Sequence, residues 1–177
     1  MDNLKKIKLL ILDVDWVLTD GHSHTGGEVE YFKSFDVKDG LGISAAMRNG
    51  VQVLLVMVRT GEIVHQRAED LGIGICSDGV TDKYEAVTDL ISWMGLEKGE
   101  VAYMGDDLND LPAFCATDIA FAPQDAAKEV ILHADYHLKS RGGHGAVREA
   151  IEMILNEQGK WEGIVESYMT NGQGDRQ

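Results

Sequence analysis

The chain has 177 residues, a formal net charge of -14 and an apolar fraction of 44%. Its length suits one domain with a single substantial core, and an ordinary apolar content argues against a disordered chain. The negative charge excludes nucleic acid and anionic membrane surfaces as partners, because both repel it at long range.

The first apolar run, Lys8–Leu12, reads as a strand that delivers Asp13 and Asp15 at its end. Between Gly21 and Phe35 the alternation around Gly26–Gly27 predicts a β-hairpin, whose open edge needs a partner. His22 and His24 on it lack the spacing of a zinc pair and are expected to be exposed. Leu41, Ala45 and Arg48 then share a helical face that stops at Asn49–Gly50, before the strand Val51–Val58. A second helix carries Ile63, Arg67, Ala68 and Leu71 and closes at Gly72; a third spans Asp82–Leu96. The runs Val101–Met104 and Ile119–Phe121 add strands, and Ala146–Leu155 reads as the last covering helix. Strands alternating with helices imply an α/β fold, a central parallel sheet covered on both faces. Trp161, Ile164, Val165, Tyr168 and Met169 keep helical spacing, while the final TNGQGDRQ is expected to be disordered.

Cys76 and Cys115 are too few for a disulfide framework or a zinc site. No segment has the ~18 apolar residues of a membrane span, and MDNLKKIKLL lacks a signal-peptide core, so a cytoplasmic protein is expected.

Ligands of parallel sheets bind beyond the carboxyl ends of the strands. The pairs Asp13/Asp15 and Asp106/Asp107 stand at two such ends. Clustered carboxylates need a shared cation, most simply Mg²⁺ with oxygen ligands and a substrate phosphate. Singly, each aspartate could be a strand-end or helix-cap residue; the two pairs together favour a site.

These motifs resemble the haloacid dehalogenase superfamily of phosphatases. Asp13-Val14-Asp15 matches its first motif, Lys83 its third, and Gly105-Asp106-Asp107 with Asp110 its fourth. The segments DVDWVLTDG, FDVKDGLGI, GVTDKYEAV, GDDLNDLPA and GGHGAVREAIEMIL are similar to the capless branch acting on eight- and nine-carbon keto sugar acid phosphates. The resemblance implies a Rossmann-like three-layer sandwich, residues 1–158, in which hairpin 21–35 replaces a cap and builds a homotetramer, with 159–177 as a partly disordered tail. It implies Asp13 as nucleophile, Asp15 as general acid and base, and Lys83 as the balancing cation. Mg²⁺ would be held by Asp13, the Asp15 carbonyl and Asp106, with Asp107 and Asp110 supporting. The implied activity is hydrolysis of 3-deoxy-manno-octulosonate 8-phosphate, in lipopolysaccharide biosynthesis. Nonulosonate 9-phosphates are the alternative, and Arg59 favours the octulosonate type, since a guanidinium suits its carboxylate. Arg141 and His144, in the glycine-rich RGGHGAVRE segment, are candidates for a neighbouring site.

Two residues depart from the pattern. Trp16 stands where the branch usually has Gly, and either narrows the site or packs under the hairpin. Met57 replaces the usual Thr or Ser, and a thioether cannot donate a hydrogen bond to a phosphoryl oxygen. Thr60 either supplies that donor or caps the following helix. The departures leave open a non-catalytic relative that keeps the fold.

Overall fold

The computed structural model describes residues 2–22, 24–26 and 29–171. In chain order they form β1 (Leu9–Leu12), β2 (His24–Gly26), β3 (Val29–Phe32), α1 (Val37–Arg48), β4 (Gln52–Val56), α2 (Glu62–Leu71), β5 (Cys76–Ser77) and α3 (Lys83–Trp93). Then follow β6 (Val101–Met104), α4 (Leu111–Ala116), β7 (Ile119–Ala122), α5 (Lys128–His133), β8 (Tyr136–His137), α6 (Ala146–Glu157) and α7 (Trp161–Asn171). Among the described residues no helix is long and apolar enough to cross a membrane.

Six strands make one parallel sheet in the order β5-β4-β1-β6-β7-β8. The chain winds from β1 through β4 to β5, then crosses back to β6 on the other side of β1. That reversal opens a crevice between the carboxyl ends of β1 and β6, the place where doubly wound sheets bind ligands. All four residues of β1 are buried, because helices cover both faces. Leu10 and Leu12 face a core shared with α1, α2, α6 and α7. Leu9 and Ile11 face a second core with α3, α4 and α5. The apolar run that opens the chain therefore serves two cores at once, and truncating any of its leucines to Ala should cost about 2–5 kcal/mol. This is the expected three-layer sandwich.

Polar residues stop and start the helices as the sequence suggests. Asp36 caps α1 by accepting from Lys38 N at 2.7 Å, and Asp82 caps α3 by accepting from Glu85 N at 3.0 Å. Gly72 ends α2 in the left-handed conformation, φ 75°.

The hairpin forms as an antiparallel pair of β2 and β3, separate from the main sheet. Its base is pinned by an antiparallel bridge between Thr19 and Phe35. His22 and His24 are exposed as expected, His24 stacking on Phe32 with ring centroids 4.0 Å apart. Gly27, and the final residues 172–177 expected to be disordered, lie outside the described residues, and the side chains of Val29 and Tyr31 are not described.

Other differences have simple causes. The strand expected over Val51–Val58 stops at Val56, which leaves Met57 beyond its end. Strands β5 and β8 have two residues each, too short to show a period. Residues from Trp161 onward form α7, with Ile164 buried and Trp161 and Tyr168 packed against the core of α1 and α6. The boundary drawn at 158 cuts through that packing.

Candidate active site

Asp13 follows β1 directly, and its N–H donates to the Met104 carbonyl at the end of β6, at 3.0 Å. That bond sets the first residue past β1 beside the segment Gly105-Asp106-Asp107. Gly105 must be glycine: a Cβ there would lie 2.4 Å from the Asp110 side chain. With Asp82 as cap, Lys83 is the first residue of α3, and its side chain turns inward under the sheet ends, nearly fully buried. The Lys83 ammonium donates to Asp13 Oδ1 at 2.8 Å and to Asp110 Oδ1 at 2.5 Å. Asp110 also accepts from the Tyr103 hydroxyl at 2.7 Å, from Asp106 N at 2.9 Å and from Asp107 N at 3.3 Å. With four donors it is saturated, and it works as the post that holds Lys83 and the Asp106–Asp107 backbone in place.

Asp13, Asp106 and Asp110 each bring a carboxylate oxygen within 4.8 Å of the others. Three buried carboxylates facing one ammonium leave two negative charges unbalanced. Burial, and then Asp110, push the Asp13 carboxyl up to about 7. Burial, and then Asp13, push Asp106 up to about 8. For Lys83 burial opposes the charged form, but Asp13 and Asp110 outweigh it and hold the ammonium above its ordinary value. Since Asp110 is saturated, the donors left for a cation are the oxygens of Asp13 and Asp106. A few hard oxygens of this kind suit Mg²⁺, which keeps waters and phosphate oxygens as its other ligands.

Asp13 and Asp106 open into a cleft of about 550 Å³, lined also by Asp15, Trp16, Gly21, Met57, Val58, Arg59, Asp107, Leu108 and Asn109. Asp15 points into it with one oxygen held, Lys33 Nζ donating to Oδ1 at 2.6 Å. Its other oxygen, Oδ2, lies 3.8 Å from Arg59 Nε. Asp107 is exposed and accepts from Leu108 N at 2.8 Å, closing its own turn.

Trp16 does both things the sequence left open. It lines the cleft, 39% exposed, and its indole packs on Gly21 at the start of the hairpin segment, where a Cβ would come within 2.1 Å of the ring. Among the described residues it is the non-glycine residue with positive φ, +60°, a conformation costing about 1–2 kcal/mol for an L-residue. The usual Gly at this position needs no such compensation.

Met57 is buried, 4% exposed, with its backbone held between Ser77 O and Val80 N at 2.9 and 3.1 Å. Met57 is among the residues that line the cleft and also belongs to the core shared with α1 and α2, and its thioether has no hydrogen to donate. Thr60 is exposed and does not line the cleft. Nor does it cap α2: Gly61 is the cap residue, with no side-chain bond.

The glycine-rich segment lies outside the cleft lining as well. Gly142 presses on the turn after Asp15, so closely that a Cβ would lie 1.7 Å from the Trp16 carbonyl oxygen, and Gly143 N donates to Val17 O at 2.9 Å. Asp125 accepts from Gly142 N at 2.9 Å and from Arg141 Nε at 3.1 Å, so Arg141 braces this loop. His144 is exposed. Behind the loop, buried Asp39 of α1 accepts from Arg148 N at 2.7 Å and Gly145 N at 3.3 Å, joining α1 to the start of α6, and burial raises its carboxyl to about 6.

Sequence reasoning missed Lys33, Tyr103 and Asp125. Tyr103 reads as one more strand residue, and Asp125 as a loop residue; Lys33 sits in a hairpin that reads as surface. No local spacing signals any of them.

A model of the haloacid dehalogenase-like hydrolases matches residues 67–151. Over 176 residues the chain is 42% identical to the 3-deoxy-D-manno-octulosonate 8-phosphate phosphatase of Haemophilus influenzae, covering 96% of this chain and 98% of that one. It is 39% identical to the same enzyme of Escherichia coli K12, with 88% and 83% covered. The solved cobalt-bound Haemophilus influenzae phosphatase superposes with a TM-score of 0.88 over 97% of both chains, at 42% identity. That of Moraxella catarrhalis, in complex with a magnesium ion, a phosphate ion and the KDO sugar acid, superposes with a TM-score of 0.90 at 34% identity, covering 94% and 95%.

Proposed function

The chain belongs to the haloacid dehalogenase-like hydrolases, and from that premise we propose how its residues act as a Mg²⁺-dependent phosphatase that hydrolyses 3-deoxy-D-manno-octulosonate 8-phosphate to the sugar acid and inorganic phosphate. The observation that carries this is the buried group of Asp13, Asp106, Asp110 and Lys83 at the switch point of the sheet, with two negative charges left for a divalent ion.

Asp13 is the nucleophile. Its free carboxylate oxygen bonds to phosphorus as the phosphorus–ester oxygen bond breaks, and the ester oxygen takes a proton from Asp15 and leaves as the sugar hydroxyl. Asp15, now a carboxylate, takes a proton from water; the water oxygen bonds to phosphorus, the Asp13–phosphorus bond breaks, and phosphate departs. Lys83 holds Asp13 in line and offsets its charge against the incoming phosphate. Held by Asp13, Asp106 and the Asp15 carbonyl, Mg²⁺ supplies positive charge to the phosphoryl oxygens. Arg59, exposed at the rim, is free to swing to the carboxylate of the sugar acid. Thr60, Arg141 and His144 reach a substrate only by a rearrangement or through a neighbouring subunit.

Assembly into a homotetramer through the hairpin, a cytoplasmic location and a place in lipopolysaccharide biosynthesis belong to the same reading. The test is phosphate release from the octulosonate ester, with Mg²⁺, with chelator and in Asp13→Asn, beside a nonulosonate 9-phosphate. Release that needs the metal and Asp13 supports the proposal. Preference for the nine-carbon ester redirects it, and an inert wild type turned active by Met57→Thr identifies a degenerate enzyme. Light scattering reads the assembly.

A further inference from the structure

The hairpin returns to the main domain along Lys33, Ser34 and Phe35, and the Thr19–Phe35 bridge sets that segment against the turn that carries Asp15. Phe35 is further fixed under the Arg67 guanidinium, 5.6 Å from ring centroid to Arg67 Cζ. Here the Lys33 side chain is only 4% exposed, while that of Asp15 is 29% exposed. Lys33 is not among the residues lining the cleft, and its ammonium donates to Asp15 Oδ1 at 2.6 Å. Burying an ammonium is costly unless it is well paired, and losing its partner usually costs more still. A lysine that only solubilised the hairpin would extend into water. The carboxyl group of Asp15 is thereby anchored by Oδ1, while Oδ2 lies 3.8 Å from Nε of Arg59, which lines the cleft with it.

We propose that Lys33 is a positioning residue for the proton transfer: it orients the Asp15 carboxyl so that Oδ2 meets the ester oxygen of the leaving group. This rests on the reading of Asp15 as general acid and adds the hairpin to the chemistry of its own subunit. In the step concerned, the Oδ2 proton passes to the ester oxygen as the phosphorus–oxygen bond breaks, and the Asp15 carboxylate that remains keeps its bond to Lys33. A misdirected acid fails leaving groups that need a proton and spares those that depart as stable anions.

The experiment compares wild type, Lys33→Met and Lys33→Arg as full chains with Mg²⁺, on phosphate monoesters graded from p-nitrophenyl through phenyl to a simple alkyl ester. For Lys33→Met the expected result, read as kcat/KM because that ratio reports the first chemical step and not the shared attack of water, is a value close to wild type on p-nitrophenyl phosphate and about 100-fold lower on the alkyl ester. Lys33→Arg should recover part of the loss. In an Asp15→Asn background Lys33→Met should add almost nothing on the alkyl ester. If Lys33→Met does not fold, Lys33→Gln takes its place in every comparison. Equal losses across the series, or none, overturn the inference and leave Lys33 a structural residue. A rise in KM with kcat unchanged across the series overturns it in favour of substrate binding. A wild type inactive on every ester overturns the phosphatase reading itself, and this inference with it.

Discussion

The two walls of the cleft differ in kind. At the ends of β1 and β6, Asp13, Lys83 and Asp110 are joined by bonds of 2.5–2.8 Å and buried with Asp106. At the end of β4, Met57 offers a thioether and Arg59 stands out in solvent. One wall is complete before any substrate arrives; on the other, the exposed Arg59, 3.8 Å from Asp15 Oδ2, is proposed to meet the carboxylate of the sugar acid. Preorganised charge of the first kind is where electrostatic catalysis resides, because it need not reorganise during the reaction. The second wall can vary, even to a methionine, without dismantling the first.

Breaking the complete wall should have the largest effect. Asp13→Asn should lower kcat by about 10⁴-fold or more, since the residual activity lacks a nucleophile. Phosphate release measures it, and melting should show no loss of stability, because the variant removes one of the buried charges. Chelation should likewise stop turnover, with Mg²⁺ restoring it and raising the melting temperature, as an ion bound only by the native state must.

Next comes Lys83→Met, which leaves Asp13 and Asp110 facing each other across an apolar side chain. Urea unfolding should show a loss of about 3–5 kcal/mol, and activity should fall with it. Adding Asp110→Asn should cost less than the sum of the two single changes, because the carboxylate left behind is part of the damage.

Met57→Thr sharpens the contrast from the other side. A hydroxyl at this point should return about 2–4 kcal/mol of transition-state stabilisation, read as a higher kcat. The same change should lower stability by about 1–2 kcal/mol, because a smaller side chain underfills a buried position. Unchanged kcat would mean that the metal wall alone carries the reaction.

The smallest effect is expected at the seam between the walls. Trp16→Gly removes the left-handed strain of an L-residue and should raise stability by about 1 kcal/mol, less whatever the indole gains against Gly21. It should also widen the cleft mouth, which a lower KM for bulky esters would reveal.

Much of this was legible in the sequence because its signals are local. The run Leu9–Leu12 announces a strand buried on both faces, and the acids that follow it and Met104 announce the crevice. Asp82 before Lys83 marks a helix start, which puts a lysine on the first turn. Burial was not legible: as single letters, Lys83 and Asp110 look like surface residues, and only the packing of α3 and the Leu108–Asp110 turn under the sheet makes them a pair. Thr60 shows the reverse error, since proximity to Met57 in the chain does not bring it to the cleft.

By itself, the sequence determined the order of the four longer strands of the parallel sheet and of the longer helices, the places where carboxylates leave the sheet, and the absence of a donor at Met57. These follow from periodicity, capping and side-chain chemistry, which act within a few residues. Only the tertiary structure decided that Asp110 spends all its acceptors on Lys83, Tyr103 and backbone amides, that Gly142 braces the turn beneath Trp16, and that Lys33 comes back from the hairpin to hold Asp15. The contacts of Lys83 with Asp110, of Gly142 with Trp16 and of Lys33 with Asp15 join residues far apart in the chain, and no local preference encodes where two such segments meet.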